Sequence, residues 1–253
     1  MEQNYRSTKN IVKAANSLIE KNQKRLEKVV WTDNDEGSKI KVNRLLTDGE
    51  EGRFVASSIF ENKNSQQLQN KDFAILYRTN AQSRAFEDSL RKRNIPYRVY
   101  GGLSFYQRKE IKDVLAYLRL IINENDEEAF KRVINFPTRG IGQTTINKLI
   151  VQANTTNVSL FSLCKDLDRV EVNISTSIKL KVSNFVNLIE SFKISARTKN
   201  AFDIANEVVN DTGIIKTYSA LTSVEDQAKI QNIEEMLNGI KDFVEIQKEI
   251  PES

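Results

Sequence analysis

The apolar positions of this chain change their period once. Up to about residue 102, short apolar runs alternate with helical patterns. Ser7 or Thr8 can cap a helix whose apolar positions Ile11, Val12, Ala15, Leu18 and Ile19 share one face. Residues 28–31 and 40–46 read as strands, and a helix follows over 50–62. Phe73-Ala74-Ile75-Leu76-Tyr77 is a continuous apolar run, the pattern of a strand buried on both faces of a parallel sheet. Residues 81–93 return to helical spacing, with Ala85, Phe86 and Leu90 on one side. Pro96 opens a last strand over 97–100, closed by Gly101-Gly102. Strands alternating with helices predict an α/β unit built on a parallel sheet.

Beyond Gly102 the strands stop. Ile111, Val114, Leu115, Leu118 and Ile122 mark one long helix. Helical patterns continue around 130–134, 145–153, 178–196, 202–209 and 230–244, broken chiefly at Pro137, Gly140 and Gly142. The predicted fold class is therefore α/β followed by all-α. With the change placed between Ser104 and Arg108, the chain divides into 1–106 and 107–253, ending in a polar, frayed tail over 248–253.

Composition removes several chemistries. There is no histidine, so histidine-based zinc sites and Ser-His-Asp or Cys-His catalysis are excluded. The single cysteine, Cys164, fits a reducing compartment and reads as a small core residue. No apolar stretch approaches the roughly 18 residues of a membrane span, and the N-terminus has no secretory h-region, so a cytoplasmic protein without membrane contact is expected. The formal net charge of +4 says little by itself. Its distribution says more: Arg78, Arg84, Arg91, Lys92, Arg93, Arg98, Arg108, Lys109 and Lys112 face only Glu87, Asp88 and Glu110 in the same stretch. Such an excess is either a nucleic-acid footprint or a solvated helix face. None of the glycines falls in a G-x-x-x-x-G-K-[ST] loop, and no complete catalytic site is evident.

Five blocks carry a resemblance: Gln3-Asn4-Tyr5-Arg6-Ser7; Ala74-Ile75-Leu76-Tyr77-Arg78-Thr79-Asn80-Ala81-Gln82-Ser83-Arg84; Ile95-Pro96-Tyr97-Arg98-Val99-Tyr100-Gly101-Gly102; Phe105-Tyr106 with Lys109-Glu110-Ile111-Lys112-Asp113-Val114-Leu115; and Pro137-Thr138-Arg139-Gly140-Ile141-Gly142. In order and spacing they resemble superfamily 1 DNA helicases of the UvrD/Rep/PcrA type. The resemblance covers essentially the whole chain and weakens after about Leu160. It implies the first part of a second RecA-like motor domain, with a partial parallel sheet, followed by an inserted helical accessory domain. It also implies a longer parent, an ATP-dependent 3′-to-5′ DNA helicase of repair or replication. ATP and Mg²⁺ would be bound mainly by a first motor domain lying outside this sequence. No cofactor, and no catalysis, is then expected of this chain alone.

The resemblance assigns roles. Tyr5 stacks on the nucleotide base, and Arg6 reaches the γ-phosphate, where a guanidinium fork matches phosphate oxygens. Away from the motif the pair would simply support a helix start. Arg78, Thr79 and Asn80, at the end of the expected buried strand, touch the translocating single strand, with Asn80 the foremost candidate; capping by Thr79 or Asn80 is the structural alternative. Thr138, Arg139, Gly140, Ile141 and Gly142 form a turn before a helix and grip duplex DNA through its backbone, or else form a plain interhelical turn. The partners implied are single-stranded and duplex DNA and the missing motor domain. A helicase–nuclease subunit and a free-standing non-catalytic DNA-binding or protein-interaction module are the rival readings.

Overall fold

The computed structural model describes residues 2–22, 29–100, 102–220 and 223–249. They gather into two compact units, Met1–Leu46 and Thr47–Ser253. The change of hydrophobic period near residues 104–108 falls inside the second.

Among the described residues the first unit holds one helix, α1 (Lys9–Ile19). Thr8 occupies its N-cap position through the backbone alone, without a side-chain bond. A parallel bridge pairs Gln3 with Trp31, formed by Asn4 N–H donating to the Trp31 carbonyl (2.8 Å) and Trp31 N–H to that of Glu2 (3.1 Å). Asn16 of α1 clamps Val30 at both its N–H (3.3 Å) and its carbonyl (2.7 Å).

The second unit contains α2 (Asp48–Gln66), α3 (Ser83–Lys92), α4 (Lys109–Ile122), α5 (Glu127–Val133), α6 (Gln143–Thr156), α7 (Leu160–Lys165), α8 (Thr176–Ser195), α9 (Ala201–Asp211), α10 (Ile214–Ser219) and α11 (Val224–Glu249). Short polar side chains start many of them as helix propensity predicts: Thr47, Asp126, Ser159, Ser175 and Asn200 each accept a first-turn N–H. The core is built on α4, whose Ile111, Val114, Tyr117 and Leu120 recur at helical spacing and are fully buried. Against it lie the α8 stripe Val182, Phe185, Val186, Ile189 and Phe192, Ile204 and Val208 of α9, and Ile233 and Met236 of α11. Phe130 of α5 meets Phe185 and Phe161 edge to face, with ring centroids 5.4 and 6.2 Å apart.

The expected parallel sheet is absent among the described residues. Among the described residues the only β pairing is the Gln3–Trp31 bridge. The runs 40–46, 73–77 and 97–100 are not strands. The run at 28–31 supplies only Trp31 to the bridge, and Lys28 lies outside the described residues. Leu76, Val42 and Leu46 are 94%, 92% and 90% exposed. The physical reason is that an apolar, extended segment becomes a strand only when a neighbouring edge supplies a hydrogen-bond ladder. The pattern identifies the segment and says nothing about the edge. The α/β half of the expectation is thus corrected, while the all-helical half stands. Gly101, half of the pair expected to close the last strand, and residues 250–253 of the tail also lie outside the described residues.

Two measurements check this core. Phe130→Ala should lower the unfolding free energy by about 3–5 kcal/mol, read from urea denaturation followed by circular dichroism. Burial pushes the Cys164 thiol up to about 12, so in mildly alkaline buffer a disulfide reagent should leave the native protein unlabelled and titrate one thiol in denaturant. Labelling of the native protein at the denatured rate would show α7 to be open.

Candidate nucleic-acid interface

In the first unit the Tyr5-Arg6 corner is built by asparagines. The Asn4 side-chain oxygen accepts the N–H groups of Arg6 (2.9 Å) and Ser7 (2.8 Å), an Asx turn that folds the chain back just before α1. Asn34 donates to the carbonyls of Tyr5 (3.3 Å) and Ser7 (3.1 Å). The fixed backbone leaves both side chains outside: Tyr5 is 73% exposed, its hydroxyl donating to Gln3, and Arg6 is exposed. An exposed ring beside an exposed guanidinium fits one edge of a nucleotide, base and phosphate respectively, and no more than an edge. Among the described residues no cluster of three carboxylates or thiols is placed to hold a metal.

In the second unit, Arg78, Thr79 and Asn80 are all exposed. Gln82 organises their backbone, its side-chain oxygen accepting the N–H groups of Arg78 (2.9 Å) and Thr79 (3.0 Å). The loop leads through a short 3₁₀ turn, Asn80–Gln82, into α3. Thr79 stands at the N-cap of this turn and forms a capping box with Gln82, as the structural alternative had it, while Asn80 is the turn's first residue.

The turn at 138–142 is held from inside. Arg139 does not extend into solvent. Its Nη1 donates toward the carbonyls of Val133 (2.9 Å), Phe136 (3.1 Å), Ile134 (3.3 Å) and Pro137 (3.3 Å), and its Nη2 donates to the Tyr117 hydroxyl (2.7 Å). The guanidinium also lies 5.1 Å from the Phe185 ring centre. Tyr117 in turn donates to the Phe136 carbonyl. Burial pushes the Tyr117 hydroxyl up, Arg139 pulling it part-way back, so it stays a neutral phenol at this junction. Asn135 fixes the turn backbone by accepting from Arg139 N–H (2.9 Å) and Ile141 N–H (3.0 Å). Ile141 is fully buried and anchors the turn in the core.

What remains outward is Thr138, Gly140 and Gly142, with the start of α6. Gly140 has φ +74°, a left-handed value that only glycine adopts without strain. Gly142 does not: its φ is −76° and it serves as the N-cap of α6. The N–H groups of the first helical residues are left over at such a start. Lys181 of α8 lies against the turn, its ammonium 2.7 Å from where a Cβ built on Gly140 would stand. No carboxylate pairs with Lys181 among the described residues.

Several residues that matter here were not singled out by their sequence. Arg84 and Arg108, counted in the basic excess, are buried to 5% and 8% exposure. Arg84 pairs with Asp48 (2.5 Å), Glu235 (2.8 Å) and Asp88 (3.3 Å). Glu87, 2% exposed, accepts from Phe105 N–H (2.9 Å), Tyr97 Oη (3.0 Å) and the Ser104 hydroxyl. Their only signal was a charge inside an apolar helical stripe, as at Arg84 and Glu87 beside Ala85 and Phe86.

The class is given by a family model that matches residues 1–253: this chain belongs to the family of UvrD-like helicase C-terminal domains. It is 38% identical over 254 residues to the ATP-dependent DNA helicase PcrA of Leuconostoc citreum, covering 100% of this chain and 34% of that protein. It is 39% identical over 248 residues to the PcrA of Bacillus subtilis, covering 96% of the chain and 33% of that protein. With the Staphylococcus aureus PcrA it shares 38% over 246 residues, 97% and 33% of the two chains. The chain thus spans about a third of the length of these relatives.

If Arg139 braces the turn, Arg139→Ala strips several carbonyls and a phenol of their donor. The variant should lose about 2–3 kcal/mol of stability while keeping its helical circular dichroism, the scale of a lost charged hydrogen-bond set. An unchanged urea midpoint would show the arginine to be dispensable to the turn.

Proposed function

We propose that this chain is the DNA-handling part of a longer ATP-dependent DNA helicase that moves 3′ to 5′ on single strands and unwinds duplex. The observation that carries the reading is the match of the family model over the chain's whole length. In this reading the accessory part begins near residue 107. Its turn at 138–142 holds the duplex by its phosphates through backbone amides and the Lys181 charge, while Arg139 keeps the turn in shape. Such contacts read no base sequence, as suits a machine that must pass along any sequence.

The loop at Arg78, Thr79 and Asn80 touches the single strand. Tyr5 and Arg6 form the edge of a nucleotide site whose remainder, with Mg²⁺, belongs to a first motor domain of the parent. When ATP is bound there, Tyr5 stacks on its base and Arg6 meets the γ-phosphate, supplying fixed positive charge where negative charge develops. These two residues bind and orient; they supply neither a general base nor a metal ligand. Work done in a cell with this activity, in repair or replication, takes place in the cytoplasm.

The test is direct. The purified chain should show no ATP hydrolysis with or without single-stranded DNA, because phosphate-loop and magnesium residues are absent from its sequence. It should bind duplex weakly, roughly 10⁻⁴ to 10⁻⁶ M, without sequence preference and less tightly as salt rises. Lys181→Gln should make that salt dependence shallower by about one phosphate contact and leave the melting temperature unchanged. Hydrolysis by the chain that Arg6→Ala abolishes would sink the division of labour proposed here.

A further inference from the structure

Asn80 is exposed, yet the peptide that carries it is fastened from beneath by a residue far along the chain. Arg108, just before α4, is 8% exposed. Its Nη2 donates to the Asn80 carbonyl (2.9 Å) and to the Ser83 hydroxyl (3.1 Å). Ser83 Oγ donates to the same Asn80 carbonyl (2.9 Å). The other arm of the fork, Nη1, donates to the Asn232 side chain on α11 (2.8 Å). Asn232 passes the chain on, donating to Glu110 of α4 (2.6 Å). Asn232 and Glu110 are each 5% exposed, and Ser83 1%. The array runs from a solvent-facing loop through buried groups of α11 and the first turn of α4, each bonded to the next.

α11 presents these partners as one stripe. Asn232, Glu235, Gly239 and Asp242 follow at helical spacing on the face toward α3. Glu235 takes Arg84 of α3 (2.8 Å). Gly239 leaves room for that side chain, since a Cβ there would stand 2.4 Å from Arg84 Nη1. α3 and the loop before it are therefore registered on α11 twice, by Arg84 at one point and Arg108 at the other.

We infer that Arg108, set by Asn232 and Glu110, is a positioning residue for the Asn80 loop, holding its backbone in the conformation that meets single-stranded DNA. The inference rests on the proposed reading of Arg78, Thr79 and Asn80 as the single-strand contact, and it goes beyond that reading by naming what sets the contact. The physical basis is pre-organisation. A loop of exposed polar side chains would otherwise have to be ordered on binding. Here Gln82 takes its N–H groups and Arg108 takes its carbonyl before any ligand arrives. The task needs a planar fork, because the acceptors lie on two different elements. A lysine ammonium in the same place reaches one side or the other.

The experiment measures anisotropy of labelled oligothymidylate and of a labelled blunt duplex against the 253-residue chain. The variants are Asn80→Ala, Arg108→Gln, Arg108→Lys, Asn232→Ala and the Asn80→Ala/Arg108→Gln pair, with circular dichroism melts on each. Single-strand affinity should fall roughly two- to tenfold in Asn80→Ala and in Arg108→Gln, the range for ordering one side chain. Arg108→Lys should restore little of it. The double variant should be no worse than the weaker single, since both act through one loop. Duplex affinity should stay where it was, because the turn at 138–142 is untouched. Asn232→Ala, which removes only the far partner, gives a milder single-strand loss and keeps the test alive if Arg108→Gln does not fold. Single-strand binding unchanged in Arg108→Gln and Asn232→Ala, but weakened in Asn80→Ala, overturns the inference and leaves the loop's contact standing. Equal loss of single-strand and duplex binding shows Arg108 to be a general support and also overturns it. If Asn80→Ala has no effect, or the chain binds no single strand, the reading of the loop fails and takes the inference with it.

Discussion

A guanidinium in a protein interior keeps its proton, so each of its five N–H groups must find an acceptor or stand unpaired out of water. That demand fixes the second unit of this protein at three places. Arg84 draws Asp48 of α2, Asp88 of its own helix and Glu235 of α11 to one point. Arg108 ties the Asn80 loop to α11. Arg139 gathers the carbonyls that end α5 and the phenol of α4 around the turn before α6. In the last two cases a segment with no regular structure of its own is held by a cation from beneath; Arg84 instead draws three helices together.

These arrays are better understood as setting position than as adding stability. Removing charges from water is expensive, and well-packed apolar residues often serve stability equally well. The helical bundle already has a large apolar source of stability in Tyr117, Phe130, Phe161, Phe185 and Phe192, all fully buried. Apolar packing is non-directional, and by itself would leave the loop at 78–80 and the turn at 138–142 free to take several shapes. Hydrogen bonds of fixed geometry remove that freedom. At Glu235 burial holds the carboxyl above the ordinary range, while Arg84 draws it back down.

The sequence made the helical bundle legible because its signal is local. Ile111, Val114 and Leu115 recur at the spacing of one face, and such a face needs only other helices to cover it. The sheet was misread for the opposite reason. Phe73, Ile75 and Tyr77 have the composition of a strand, but a ladder depends on a partner that no local pattern specifies. The motif residues Tyr5, Arg6, Arg78, Thr79 and Asn80 do stand in the open. Arg139 lies in the block that the resemblance assigns to duplex DNA, and a glycine-flanked arginine before a helix does not reveal what its side chain bonds to. The carbonyls closing α5 around it, and the ring of Phe185, show that its guanidinium turns inward.

The same inward turn of arginines changes the electrostatic argument from which a nucleic-acid partner was first considered. Of the cations between residues 78 and 112, Arg84 and Arg108 are themselves buried and bonded to acceptors within the fold, and Arg91 and Arg93 lie over the rings of Tyr106 and Phe60. A count of charges along the chain therefore overstates the field that a phosphate backbone would meet. Under the proposed reading, the duplex is held by few full charges, with Lys181 prominent among them, and by amide groups whose partial charges act only at close range. Such a grip is weak and indifferent to sequence, and it lets go easily. Under that reading, a domain releasing duplex repeatedly would gain more from a turn of fixed shape than from a dense basic patch, and fixed shape is what Arg139 and Asn135 supply.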